Sequence, residues 1–93
     1  MVIGLLRMEL HLPMALSLKD KRSILKSLKD QLHGRFNIAV AEIETNQKWQ
    51  RASIGVAMLG TDRRYVDGAL SHVLEWMRAQ RSIELIRVEQ ELL

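Results

Sequence analysis

Four stretches of the chain alternate apolar and polar residues as half-buried β-strands do. They cover residues 2–12, 36–44, 50–59 and 83–91. Each stretch contains a run of alternate residues that are apolar, which matches the two-residue period of a strand with one face against a core. The residues expected to face inward are Leu6, Met8, Leu10, Leu12, Phe36, Ile38, Val40, Ala52, Ile54, Val56, Met58, Ile86 and Val88. The polar residues 45–48 are expected to connect the second strand to the third.

Two further stretches repeat apolar residues at helical spacing. The first follows Ser17, whose hydroxyl is suited to cap a helix with Asp20 in its first turn, and it is expected to end at Gly34. The second follows residues 60–62, which are expected to end the third strand and cap the helix, and it runs to about Gln80. The inner faces are predicted to carry Leu18, Ile24, Leu25, Leu28 and Leu32 in the first helix and Val66, Leu70, Val73, Leu74 and Met77 in the second.

The element order is therefore βαββαβ. A helix that returns the chain to a parallel strand crosses over with a right hand, and two such units build a compact two-layer fold. We predict a single α+β domain over residues 1–93: a ferredoxin-like sandwich whose four-stranded antiparallel sheet has the order 4-1-3-2, with both helices on one face. One register of the first and fourth strands places Arg7 opposite Glu89 and Glu9 opposite Arg87, which favours this pairing.

Composition narrows the function classes. A chain of 93 residues has room for one domain, and its 47% hydrophobic content is enough for a core. It has no cysteine, which excludes disulfides and thiol chemistry, and no apolar run approaches the roughly 20 residues of a membrane span. The apolar start lacks a preceding basic segment, so no signal peptide and a cytoplasmic location are expected. The net charge of +3 and pI near 9.7 allow a nucleic-acid partner.

No catalytic or cofactor motif is visible. The histidines His11, His33 and His72 are too far apart in sequence to suggest a metal site, and none is expected. The loop 13–17 lacks the glycines and the arginine that would cradle a phosphate in a small phosphatase. We therefore expect a protein that is not an enzyme and has no cofactor, although a catalytic group assembled only in space or across a dimer stays open.

Three segments carry a family resemblance. Residues 17–22 (SLKDKR), 35–42 (RFNIAVAE) and 49–52 (WQRA) resemble the YlxP-like family of small bacterial proteins. The resemblance covers essentially the whole chain and implies a ferredoxin-like fold. It also implies a gene often found among translation and ribosome-maturation genes. Because the family's biochemical function is uncharacterised, the resemblance assigns no catalytic residue. It favours only a general association with RNA or the ribosome.

A set of cations and one tryptophan forms the candidate RNA or partner site. Four cations recur at helical spacing along the first helix, and Trp49 lies between two more. These are near the hairpin of the second and third strands, which the predicted fold places at the end where that helix begins. Cations follow a phosphate backbone, and an indole stacks on a base. The candidates are Lys19, Lys21, Arg22, Lys26, Lys29, Lys48, Trp49 and Arg51. The alternatives are a solvated helix face and a tryptophan that shields the sheet edge.

The outer sheet face offers a second candidate surface. It lacks the aromatic residues with which RNA-recognition modules of the same topology stack bases, so RNA binding by that face is not expected. Small residues on this face, together with an aromatic flank on the second helix, suggest an oligomer contact made by Ala39, Ala41, Ser53, Gly55, Ala57 and Trp76. The alternatives are an ordinary solvated sheet face and the margin of the core.

These surfaces lead to two hypotheses of function. The first is a non-enzymatic binding module that is associated with RNA, the ribosome or translation through the basic helix and the hairpin end. The second is a homo-oligomeric protein–protein adaptor, most simply a homodimer, with no nucleic-acid role. Neither hypothesis involves a membrane or a small-molecule cofactor.

Overall fold

A computed structural model describes residues 1–44 and 47–93 of the chain. Its elements are, in order, β1 (Val2–His11), α1 (Leu18–Arg35), β2 (Ala39–Glu44), β3 (Arg51–Gly60), α2 (Arg63–Arg78) and β4 (Glu84–Leu92). Two residues of the predicted connection between the second and third strands, Thr45 and Asn46, lie outside the described residues.

The strands form one sheet of order β2-β3-β1-β4, in which each neighbouring pair is antiparallel. Both helices contribute side chains to the core on one face of this sheet. The predicted ferredoxin-like α+β sandwich is thus confirmed. So is the predicted register, since Arg7 pairs with Glu89 and Glu9 with Arg87.

The core lies where the sequence pattern placed it. The predicted inward residues of the first and third strands are all buried, and so are the five predicted on α2. On α1, Leu25, Leu28 and Leu32 are buried, while Leu18 and Ile24 are partly buried. Phe36, Ile38 and Val40 are partly buried and pack against this core. Burial of this apolar surface is the main favourable contribution to folding.

The helix starts follow the predicted caps, but the end of α1 does not. The Ser17 hydroxyl accepts a hydrogen bond of 3.0 Å from the Asp20 amide, and the Asp62 carboxylate accepts one of 2.8 Å from the Arg64 amide. Gly34 was predicted as the stop, yet α1 continues to Arg35. No glycine of the chain has a positive φ, so Gly34 does not form a left-handed cap, and the second strand begins at Ala39 instead of residue 36.

The prediction for Ile86 was wrong because β4 contains a bulge. Glu9 pairs with Arg87 and Leu10 pairs with Leu85, which leaves Ile86 without a partner in β1. An extra residue in one strand reverses the facing of the residues beyond it. Ile86 is 46% exposed, whereas Leu85 and Val88 pack against the core.

Helix α2 packs directly on the backbone of β1 at Gly4. A Cβ added to Gly4 would lie 2.5 Å from Cγ1 of Val66 and 2.8 Å from Cδ1 of Leu70. Both distances are below van der Waals contact, so only glycine lets the helix approach this closely.

We expect alanine to have opposite effects at Gly4 and Gly34. Gly4→Ala crowds the core and should lower the free energy of unfolding by about 1–3 kcal/mol. At Gly34 an added Cβ meets nothing within 4 Å. Gly34→Ala should therefore raise the free energy of unfolding by up to about 1 kcal/mol, because alanine favours the helix. Urea unfolding followed by circular dichroism measures both. Destabilisation by Gly34→Ala would contradict the helical conformation of this residue.

Candidate nucleic-acid interface

One end of the molecule joins the end of β1, the start of α1 and the residues that lead into β3. The Lys21 ammonium of α1 donates a 3.0 Å hydrogen bond to the carbonyl of Lys48. The amide of Leu12 donates one of 3.0 Å to the carbonyl of Gln50. The residues before β3 are thus attached both to the helix and to the central strand.

The loop between β1 and α1 is held at the same end. The side-chain amide of Gln50 donates to the carbonyls of Pro13 and Ala15, at 3.1 and 3.2 Å. The amide of Leu16 donates to a carboxylate oxygen of Asp20 at 2.9 Å, which fixes the loop onto the first turn of α1. Residues 12–17 and 48–51 therefore form one connected surface.

Lys21 does not belong with the exposed cations of the sequence-based prediction. Its side chain is 3% exposed, and its ammonium is used inside the protein. The reason is its helical position, since Lys21 precedes the buried residues Leu25, Leu28 and Leu32 at spacings of four, seven and eleven. This spacing was the sequence signal that could have identified Lys21 as an inward residue.

The other cations differ in how accessible their charge is. Lys19 and Arg22 are exposed in the first turns of α1, and Lys48 and Arg51 are exposed on either side of Trp49. Trp49 itself is 52% exposed, which leaves about half of its surface accessible to a partner. Lys26 forms a 2.9 Å ion pair with Asp30, and Lys29 is partly buried. Among the cations predicted on the helix, the exposed ones outside this ion pair are therefore Lys19 and Arg22, both in its first turns.

Two exposed apolar residues at this end were missed from the sequence. Met14 and Leu16 are both largely exposed, on the loop that Gln50 holds. The apolar character of this loop in the sequence was the available signal. We refer to the whole surface as the basic end, and it consists of Met14, Leu16, Lys19, Arg22, Lys48, Trp49 and Arg51.

The outer face of the sheet forms a shallow concavity of about 630 Å³. Four of the predicted oligomer contacts line it, namely Ala39, Ala41, Gly55 and Ala57. Leu5 and Ile43 add larger apolar surface, and Arg7, Glu89 and Glu91 also line it. Ile43 leans over Gly55, where an added Cβ would lie 2.8 Å from its Cγ2. The centre of this face is therefore apolar, and charged residues lie towards β4.

The two remaining predicted oligomer contacts are placed differently. Ser53 is only 5% exposed, so it offers little surface to a partner. Trp76 is on α2 and packs against the core, with the Arg35 guanidinium 5.7 Å from the centre of its ring. The aromatic flank predicted on the second helix consists of Tyr65, Ala69, His72 and Trp76. Ala69 and Trp76 belong to the margin of the core, and Tyr65 and His72 are exposed.

Residues 1–44 and 47–93 contain no group of three or more acidic, histidine or cysteine side chains placed to hold a metal ion. In the same residues, neither helix has the length and apolar character needed to cross a bilayer.

Comparison with known proteins gives a family. Residues 3–90 match the model of a family described as "Protein of unknown function (DUF503)". The chain is also 32% identical over 83 residues to "Uncharacterized protein YlxP" of Bacillus subtilis (strain 168), an alignment that covers 89% of this chain and 90% of that protein. The YlxP-like resemblance is therefore confirmed, and the chain belongs to the DUF503 family.

Proposed function

We propose that this chain is a non-enzymatic, cytoplasmic binding module that attaches to structured RNA, such as ribosomal RNA, through its basic end. The observation that carries the proposal is the exposed indole of Trp49 between Lys48 and Arg51, at the end of the molecule where Lys19 and Arg22 begin α1.

The composition of the basic end is suited to RNA in two ways. Its cations gain binding free energy by releasing counterions from phosphates. Its indole stacks on an unpaired base, which contributes about 1–3 kcal/mol. Because structured RNA presents unpaired bases in loops beside a dense phosphate backbone, one surface of this kind contacts both features at once.

Hydrogen bonds between the segments of the basic end support the proposal that this surface is ordered before it binds. The hydrogen bonds from Lys21 to Lys48 and from Gln50 to the 13–15 loop link its three segments. A surface that is already ordered loses less conformational entropy on binding than a mobile one.

Charge reversal at Arg22 tests this proposal. Arg22→Glu should weaken binding to purified ribosomal RNA at least tenfold and flatten the dependence of log affinity on log salt concentration by about one unit per lost phosphate contact. The matched control is Arg63→Glu, an identical charge change on an exposed residue at the start of α2. Trp49→Ala should weaken binding by roughly tenfold with little change in the salt slope.

Fluorescence anisotropy over a salt series measures these effects. Equal losses for Arg22→Glu and Arg63→Glu would show that only net charge matters, which would refute a defined site. Unchanged affinity in both Arg22→Glu and Trp49→Ala would remove the basic end from consideration.

A second function, self-association through the outer sheet face, is favoured by the apolar concavity there. The four strands have 10, 6, 10 and 9 residues, so at about 3.3 Å per residue and about 4.8 Å between strands the face covers about 550 Å². Two copies placed face to face would bury about 1,100 Å², just above the roughly 1,000 Å² that a specific interface needs. In this arrangement the small residues allow close approach, while the charged residues towards β4 lie at a solvated rim.

We expect Ala57→Glu to separate such a dimer. Ala57 pairs with both Leu5 and Ala39, so a carboxylate there enters the centre of the face. The control Ala79→Glu introduces the same charge at the exposed end of α2. Size-exclusion chromatography with light scattering should give a dimer for the unmodified chain and for Ala79→Glu, and a monomer for Ala57→Glu. A monomeric unmodified chain would disprove the self-association.

A further inference from the structure

We propose that a cleft between the two helices, at the end of the molecule opposite the basic end, binds a phosphorylated nucleoside. The cleft has a volume of about 490 Å³ and lies between residues 35–38, Met58 of β3 and the first half of α2. The 18 residues of α1 are about 27 Å long and separate this cleft from Trp49. The inference therefore does not depend on RNA binding by the basic end.

The polar lining of the cleft is suited to an anion. Arg35, Arg64 and His72 line it together with Asn37 and Tyr65, and none of its lining residues is acidic. Neither guanidinium forms an ion pair with a carboxylate within residues 1–44 and 47–93. Two guanidinium groups without carboxylate partners form an attractive site for phosphate, which arginine binds through paired hydrogen bonds.

Arg35 is held in place by an aromatic contact. Its guanidinium carbon lies 5.7 Å from the centre of the Trp76 ring, within the range of a cation–π interaction. A cation–π contact adds no negative charge, so the guanidinium stays available to an anionic ligand. Trp76 thus orients Arg35 without neutralising it.

Gly68 keeps the cleft open. It lies on α2 four residues after Arg64 and four before His72, so the three share one side of the helix. A Cβ at Gly68 would meet nothing within 4 Å, so packing does not require glycine there. Glycine inside a helix costs about 1 kcal/mol relative to alanine. The absent side chain leaves the space between Arg64 and His72 open to a ligand.

The apolar part of the cleft selects a ligand with a flat ring. Its remaining lining residues are Phe36, Ile38, Met58, Ala69 and Val73, and the Tyr65 ring is largely exposed beside them. The volume falls within the roughly 300–1,000 Å³ of small-molecule sites. A phosphate on the arginines with a base on this apolar surface describes a nucleotide, either free or at the end of an RNA strand.

Binding to the full chain tests the proposal. We would titrate AMP, adenosine, inorganic phosphate, and a hexamer of adenylate with and without a 5′-phosphate, and follow backbone amide shifts by NMR. AMP or the phosphorylated hexamer should shift the amides of residues 35–38 and 64–73 saturably. Arg35→Gln and Arg64→Gln should each weaken this binding about tenfold, while Arg63→Gln, beside the cleft but outside its lining, should change it less than twofold.

Comparison of these ligands shows whether the nucleotide is free or at the end of an RNA strand, and whether both the phosphate and the nucleoside are needed. Binding of AMP indicates a free nucleotide, and binding of the phosphorylated hexamer alone indicates a strand end; both support the site. Equal binding of inorganic phosphate and AMP would refute the nucleoside part, and equal binding of adenosine and AMP would refute the anion part. No saturable shift with any ligand, or shifts unaffected by both arginine variants, would overturn the proposal. The circular dichroism melting temperature of each variant separates loss of binding from loss of fold.

Discussion

The arrangement of the basic end depends on one buried charge. Lys21 lies on the inner face of α1, so its side chain is buried when that helix packs on the sheet. A buried ammonium is costly unless it is hydrogen-bonded, and here it donates to the carbonyl of Lys48. The residues just before β3 are consequently fixed against the helix, and Trp49 directly follows the residue that this hydrogen bond holds.

The same helix connects the proposed functions. Its inner residues pack on the sheet, its N-terminal turns supply Lys19 and Arg22 to the basic end, and its last residue, Arg35, reaches the cleft beside α2. Both helices use one face of the sheet, which leaves the other face uncovered by the described residues and apolar at its centre. The proposed RNA site, the proposed nucleotide site and the proposed self-association surface thus lie on three separate parts of one small domain.

Periodicity predicted the fold, because alternation and helical spacing report directly which residues face the core. The Arg7–Glu89 and Glu9–Arg87 register followed from charge pairing. Periodicity did not predict two local features. The bulge at Ile86 depends on strand pairing, and the role of Gly34 depends on its backbone conformation. The sequence predicted that the residues leading into β3 lie at the end where α1 begins, and the hydrogen bond from Lys21 to Lys48 agrees with this. The sequence did not predict the cleft, because the residues that line it come from three distant segments that only the fold brings together.

The most direct test is Lys21→Met, which keeps an unbranched side chain but removes the ammonium and its bond to Lys48. Hydrogen exchange should become faster at the Leu12 amide, which is bonded to Gln50, while the β1 amides that pair with β3 keep their protection. Affinity for ribosomal RNA should fall in the same variant although no exposed cation has changed. Unaltered exchange at Leu12 together with unaltered RNA affinity would contradict the central claim that this buried ammonium organises the basic end.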